Sequence, residues 1–273
     1  MKLIFLDVDG TLTEPGENTP PQSALEAIRR ARAAGNRVFL CSGRSYAMLR
    51  PVLDYGFDGY IASAGGYVVC GDRLLYDCPM TEEQSRRVLS LLKENGIYRT
   101  IEAKDASYCD EGTAEFMSRV SGGNSELMRW RKALERKLNI LPMHEYDGRP
   151  LYKATFVCER EEQLRPVHEA LDAEFNIVVQ DALSRGCVNG ELINRQYDKG
   201  RGVLRVAEEL KVPVADTVGF GDSMNDLEMI ETVGTSVCMA NGSAALKERS
   251  RLVCPAVTED GLAKAFAQLG LYE

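Results

Sequence analysis

Histidine is nearly absent from this chain: two in 273 residues, His144 and His168, without the spacing of a metal-binding pair. The eight cysteines, at positions 41, 70, 78, 109, 158, 187, 238 and 254, contain no CxxC and no Cys/His cluster. Together these gaps give no support to a zinc site and suggest buried, reduced thiols in a cytoplasmic protein. The one tryptophan, Trp130, lies in a charged segment and reads as a packing residue. No long apolar run exists at the start, where residues 1–6 are cut short by Asp7. That is too brief for a signal peptide or a membrane span. Positive charge is also in deficit, with 33 Lys and Arg against 41 Asp and Glu and a net charge of -8. Nucleic acid and anionic membranes are therefore poor partners. An anionic small molecule could bind only with local help from a metal and a few placed cations. Internal repeats and low-complexity tracts are lacking too.

What is present is an ordinary apolar content of 44%, enough for one large domain or two moderate ones. The first third alternates strand and helix: strand 2–6, helix 22–34 with Leu25, Ile28 and Ala31 on one face, strand 37–41, a helix near 45–55 and strand 59–62. Such alternation predicts a parallel sheet with right-handed crossovers. A hairpin follows around Gly71-Asp72. The middle differs in texture. Thr81-Glu82-Glu83-Gln84 is a capping box opening a helix to about Asn95. Then come strand 98–103, a Gly/Ser-rich loop at 121–125, a charged helix near 125–138, strand 151–158, helix 160–173 and strand 175–180. This α/β mixture suits a module inserted into the first domain. From about 190 the βα alternation returns. The expected fold is α/β, with a Rossmann-like parallel-sheet core over 1–78 and 190–273 and a smaller α/β insert over 79–189. Cys78-Pro79 and Asn189-Gly190 would be its hinges.

Two acidic signatures lie at opposite ends of the core: Asp7-Val8-Asp9-Gly10-Thr11 and Gly221-Asp222-Ser223-Met224-Asn225-Asp226. Each follows a β-branched, apolar run that reads as a buried parallel strand. Ligands of open α/β sheets sit beyond the carboxyl ends of the strands, so both signatures project into one crevice. Carboxylates a few ångströms apart repel. A hard cation such as Mg²⁺, which takes one or two carboxylates plus water and phosphate oxygens, resolves that repulsion. Asp7 and Asp9 share one face of an extended backbone. Two carboxyls in different environments can divide attack on phosphorus from protonation of a leaving alkoxide. Between these ends lie Cys41-Ser42-Gly43-Arg44, a strand-end hydroxyl and backbone N–H groups suited to phosphate, and Asp198-Lys199-Gly200, whose lysine is a compact point charge. Tyr108, Asp110 and Glu111 are further candidates to face a substrate from the insert.

These four signatures in this order resemble the haloacid dehalogenase superfamily, and most closely its Cof-type phosphatases, which carry an α/β cap between the second and third motifs. Cys238-Met239-Ala240-Asn241-Gly242, followed by Leu246-Lys247, looks like the family's closing motif. The resemblance implies Asp7 as the nucleophile forming an aspartyl-phosphate and Asp9 as general acid/base. It implies Ser42, Gly43, Lys199 and Asn225 as phosphate contacts. For Mg²⁺ it implies Asp7, Asp222 and the Asp9 backbone carbonyl, with Asp226 supporting the shell. A small phosphorylated metabolite, a phosphosugar by preference, would be the substrate. A phosphomutase or phosphotransferase, or a non-catalytic phosphometabolite sensor, is the alternative. One departure stands out. The subfamily usually has Asn-Gly-Ala after the third strand, whereas this chain reads Ser63-Ala64-Gly65-Gly66, and Ala64 has no side-chain donor. Oligomeric state is not encoded in any of these signatures.

Overall fold

The computed structural model describes residues 1–119, 132, 140–179 and 187–272. Two compact units emerge: Met1–Arg44 with Leu49–Asp77 and Asp198–Glu273, and Cys78–Tyr197 with Ser45–Met48.

The first unit begins with β1 (Leu3–Leu6), α1 (Gln22–Ala33), β2 (Arg37–Cys41), α2 (Tyr46–Leu53) from Leu49 onward, β3 (Gly59–Ala62), β4 (Tyr67–Cys70) and β5 (Arg73–Asp77). All four residues of β1 are fully buried, as expected for a strand covered on both faces. Helix α1 buries Ala24, Ala27, Ile28 and Ala31 on one stripe, the period that drives an amphipathic helix onto a sheet.

In the second unit, α3 (Glu82–Glu94) opens on the reciprocal bonds its capping box implies. Gln84 N–H donates to Thr81 Oγ1 at 3.1 Å and Thr81 N–H donates to Gln84 Oε1 at 3.0 Å. Then follow β6 (Tyr98–Ala103), β7 (Ser107–Cys109), α4 (Thr113–Ser118), β8 (Ile140–Pro142), β9 (Leu151–Cys158), α5 (Arg165–Leu171), β10 (Phe175–Val179) and β11 (Val188–Asn194). The sheet runs β10-β11-β9-β6-β7-β8. Its register puts Ile101 opposite Ala154 and Ala154 opposite Leu192, and these pack with Val88, Leu92 and Leu171 in an apolar core. One residue along, on the other face, Glu102 lies opposite Lys153. Lys153 Nζ sits 2.6 Å from Glu191 Oε1 and 3.3 Å from Glu102 Oε1, all three buried.

The first unit resumes with α6 (Lys199–Glu209), β12 (Thr217–Gly221), α7 (Leu227–Thr232), β13 (Thr235–Met239), α8 (Ala244–Arg249), β14 (Leu252–Cys254) and α9 (Gly261–Gln268). Its eight strands run β14-β13-β12-β1-β2-β3-β4-β5. Pairing is parallel from β14 to β3 and antiparallel in the β3-β4-β5 end. Leu6 is level with Phe220 on one side and Leu40 on the other, so the chain leaves β1, β12 and β2 at one end of the sheet.

Three expectations need correction. A boundary at 189/190 would cut β11, whose residues Val188–Ile193 pair with β9. Gly190 is accordingly no hinge: a Cβ there would lie 2.2 Å from the Val178 carbonyl oxygen, so it allows close strand packing. The helix expected over 160–173 starts as a 3-10 turn, Glu161–Leu164, before α5. Pro166 lacks the N–H that would bond back into that turn. The loop at 121–125, the helix near 125–138 and Trp130 fall outside the described residues.

Candidate active site

Asp7 is the first residue beyond β1, and its backbone N–H still donates to the Phe220 carbonyl at 3.0 Å. That bond carries the sheet register one step further and fixes Asp7 beside the start of the 221–226 turn. Gly10 holds φ at +86°, and a Cβ on it would come within 2.2 Å of Asp222 Oδ2. Only glycine both turns here and leaves room for that carboxylate. Asn241 closes the other side, donating from Nδ2 to the Gly10 carbonyl at 2.7 Å. Ser243 N–H donates to the Asp222 carbonyl at 2.8 Å.

The turn after β12 is self-organised. Asp226 Oδ2 accepts the backbone N–H groups of Asp222 and Ser223 at 2.9 and 3.1 Å. Its Oδ1 accepts from Lys199 Nζ at 2.5 Å. Lys199 is the first residue of α6, after Asp198, which caps that helix by accepting from Arg201 N–H at 2.6 Å. The ammonium also donates to Asp7 Oδ1 at 2.9 Å and to Asn225 Oδ1 at 3.2 Å. Its side chain is fully buried. Carboxylate oxygens of Asp7, Asp222 and Asp226 come within 4.8 Å of one another.

The electrostatics follow from that crowding. Burial, then the charge of Asp226, pushes the Asp7 carboxyl up to about 8 against the pull of Lys199. Burial alone would lower the Lys199 ammonium, but Asp226 and Asp7 outweigh it and raise it well above its ordinary value. Lys199 pairs with two of the three buried carboxyl groups, Asp7 and Asp226, so one positive charge stands among three acidic groups. The all-oxygen donor set, close spacing and raised Asp7 fit a hard divalent cation. Neighbouring thiols do not compete as ligands or nucleophiles: burial drives Cys238 up to about 12 and Cys41 upward as well.

Ser42 follows β2, with its N–H on the Ile61 carbonyl at 2.8 Å and its Oγ accepting from Arg44 N–H at 3.1 Å. Gly43 lies buried between them. The Asp9 carboxylate stands apart from the group of three and accepts from Arg44 Nε at 2.7 Å and Gly16 N–H at 2.7 Å. Of the candidates in the second unit, Asp110 is committed to Arg99, accepting from its Nε at 2.7 Å, and Tyr108 stacks edge-on against Tyr146. His144 pairs with Glu111 and His168 with Asp172, and neither meets the other. Arg44 and Asn241 lie inside the Ser42-Gly43-Arg44 and Asn241-Gly242 motifs, whose pattern assigns neither a role. For Arg44 the signal was an arginine directly after the phosphate-loop glycine.

A parallel sheet with a buried lysine among carboxylates at its strand ends suits a class, the phosphate-handling hydrolases. The haloacid dehalogenase-like hydrolase family matches residues 4–266, and the chain belongs to it as a Cof-type phosphatase. YkrA of Bacillus subtilis is 30% identical over 99% of this chain and 98% of its own. The 5-amino-6-(5-phospho-D-ribitylamino)uracil phosphatase YwtE of the same organism is 27% identical over 98% of each chain. The solved structure of the subclass IIB sugar phosphatase BT4131 has the same fold, with a TM-score of 0.77 at 20% identity over 99% of this chain and 100% of that one. The protein is thus an enzyme, and the sensor alternative falls. Among the described residues no helix is long and apolar enough to cross a membrane.

Proposed function

We propose that the protein hydrolyses phosphomonoesters of small hydroxyl-rich metabolites, phosphosugars or polyol phosphates, through an aspartyl-phosphate on Asp7. The observation that carries this reading is the gathering of Asp7, Asp222 and Asp226 at the end of β1 and β12, with Lys199 paired to Asp7 and Asp226. The relative YwtE is named for a substrate whose phosphate sits on a ribityl chain, which supports a polyol leaving group. Asp7, Asp222 and the Asp9 carbonyl would hold Mg²⁺, with Asp226 behind them. When bound, the cation neutralises carboxylate and phosphate charge so that an anionic nucleophile can approach an anionic ester.

The residues of the chain do the rest. Asp7 attacks phosphorus, and the ester oxygen leaves with a proton from Asp9. Ser42, the Gly43 backbone, Lys199 and Asn225 hold the phosphoryl oxygens, Lys199 turning from Asp7 toward the new negative charge. Water then attacks the phosphoryl group and gives its proton to Asp9. The second unit, 79–189 extended through β11, is the module that selects among esters, and the cytoplasm is the compartment. Phosphate release from a panel of phosphorylated metabolites tests this. Activity should concentrate on sugar and polyol phosphates, require Mg²⁺, and be lost in Asp7→Asn. Turnover by Asp7→Asn within about tenfold of wild type, roughly 1.4 kcal/mol of barrier, would overturn Asp7 as nucleophile. Inorganic phosphate, not a rearranged ester, must be the product.

A further inference from the structure

Arg44 is the buried charge which that reading leaves without a task. Its side chain and that of Asp9 are each 3% exposed. The guanidinium meets the carboxylate side-on: Nε donates to Oδ2 at 2.7 Å and Nη2 to Oδ1 at 2.8 Å. Two parallel bonds fix the plane of a carboxylate, which a single ammonium contact does not. Two more donors grip the loop after β1, Nη1 on Asn18 Oδ1 at 2.6 Å and Nη2 on the Glu17 carbonyl at 2.9 Å. The backbone of Arg44 is anchored at its other end. Its N–H donates to Ser42 Oγ at 3.1 Å, and its carbonyl accepts from Ser63 N–H at 2.8 Å. One residue thus ties the phosphate loop to the Asp9 carboxylate. Stability is a weak reason to keep such a pair, since apolar groups of the same shape often serve a buried site as well. Orientation is a better one.

We propose that Arg44 is a positioning residue that presents the Asp9 carboxylate as proton acceptor in the second half-reaction, the hydrolysis of phospho-Asp7. The inference rests on the roles given to Asp7 and Asp9 above. In that step the water oxygen bonds to phosphorus. The bond from phosphorus to the Asp7 oxygen breaks, its electron pair returning to the Asp7 carboxylate, and one water proton passes to an Asp9 oxygen. In the first half-reaction the same proton travels from Asp9 to the departing alkoxide. A p-nitrophenolate leaving group is stable as an anion and needs no proton. With that ester, loss of Arg44 should spare the first half-reaction and stall the second.

The test is rapid mixing of p-nitrophenyl phosphate and Mg²⁺ with wild type, Arg44→Met, Arg44→Lys and Asp9→Asn, with acid-quenched enzyme assayed for phosphate on Asp7. Arg44→Met should release close to one equivalent of p-nitrophenolate in a burst within about tenfold of the wild-type rate. It should then turn over at least ~100-fold more slowly, the lower end of a general base contribution, with phosphate trapped on Asp7. Arg44→Lys, which keeps the charge without the two-bond plane, should fall between, and it carries the test alone should the methionine variant not fold. A merely structural role would slow burst and turnover by the same factor with no trapped phosphate. That result, or wild-type turnover in Arg44→Lys and Arg44→Met, overturns the inference. Absence of trapped phosphate in Asp9→Asn as well overturns the Asp7/Asp9 reading itself. Trapping in Asp9→Asn but in neither arginine variant defeats the role of Arg44 alone.

Discussion

Ser63 and Ala64 both hold positive φ, 49° and 56°, a region in which L-residues other than Asn and Asp are uncommon. The strain persists because the segment is tied to the phosphate loop: Ser63 N–H donates to the Arg44 carbonyl and Ala64 N–H to the Ser42 carbonyl at 3.0 Å. Two physical accounts rank substitutions oppositely. Ala64 is 1% exposed, so burial alone would favour a larger apolar residue, by about 0.8 kcal/mol per methylene. The backbone account reverses the order, because a β-branched side chain at positive φ adds strain of order 1–3 kcal/mol. Ala64→Gly should stay within about 1 kcal/mol of wild type, relief of the left-handed penalty offsetting lost entropy and a lost methyl. Ala64→Val should be less stable than Ala64→Gly by at least about 1 kcal/mol. Urea unfolding of the two variants decides it, and a valine variant more stable than the glycine one would refute the backbone account.

At the scale of an element, β9 places a lysine where a strand buried on both faces would usually carry an apolar residue. Lys153 is balanced by Glu191 and Glu102 on flanking strands. Lys153→Met would leave two carboxylates in a site closed to water and should cost about 3–5 kcal/mol. Changing all three, to methionine and two glutamines, should restore most of that loss. A single variant as stable as wild type in thermal unfolding would contradict the buried pairing. This cluster also shows where sequence pattern runs out. Elements with one clear period were readable: the capping box at Thr81, the apolar stripe of α1, the βα alternation on either side of the insert. The positions of Asp7 and Asp222 just past strand ends and of Lys199 at a helix start were readable as well, because each falls in a recognisable signature. The end of the insert was not, since β11 is antiparallel to β9 and pairs at a distance in sequence. A glycine there reads as a joint until its packing partner, the Val178 carbonyl, is known. Nor was the Arg44–Asp9 pair, whose 35-residue separation leaves no local trace.

For the whole molecule, the crowding of carboxylates makes stability, metal and pH one problem. The Asp7 carboxyl is raised from 3.8 to about 8, chiefly by burial and then by Asp226. Between those values the folded protein keeps a proton that the unfolded chain has lost. Stability changes with pH as the protons bound in the unfolded state minus those bound in the folded state. That difference is negative here, so in EDTA the contribution of Asp7 to stability is fully present below about pH 4. It declines as pH rises toward 8 and levels off above. A divalent cation binds the ionised carboxylate and displaces that proton. Its stabilising effect should therefore grow over the same window and flatten the profile. Asp7→Asn cannot lose the proton, so the metal-free variant should lack the decline that wild type shows. Other groups titrate as well, Glu228 among them, raised by burial. The informative quantity is thus the difference between wild type and Asp7→Asn, read as urea midpoints from pH 5 to 9, with EDTA and with Mg²⁺. Parallel profiles in EDTA would mean that Asp7 is ionised throughout the range and that Lys199 alone neutralises it. Diverging profiles in EDTA that converge with Mg²⁺ would show the cation and the Asp7 proton competing for one carboxylate.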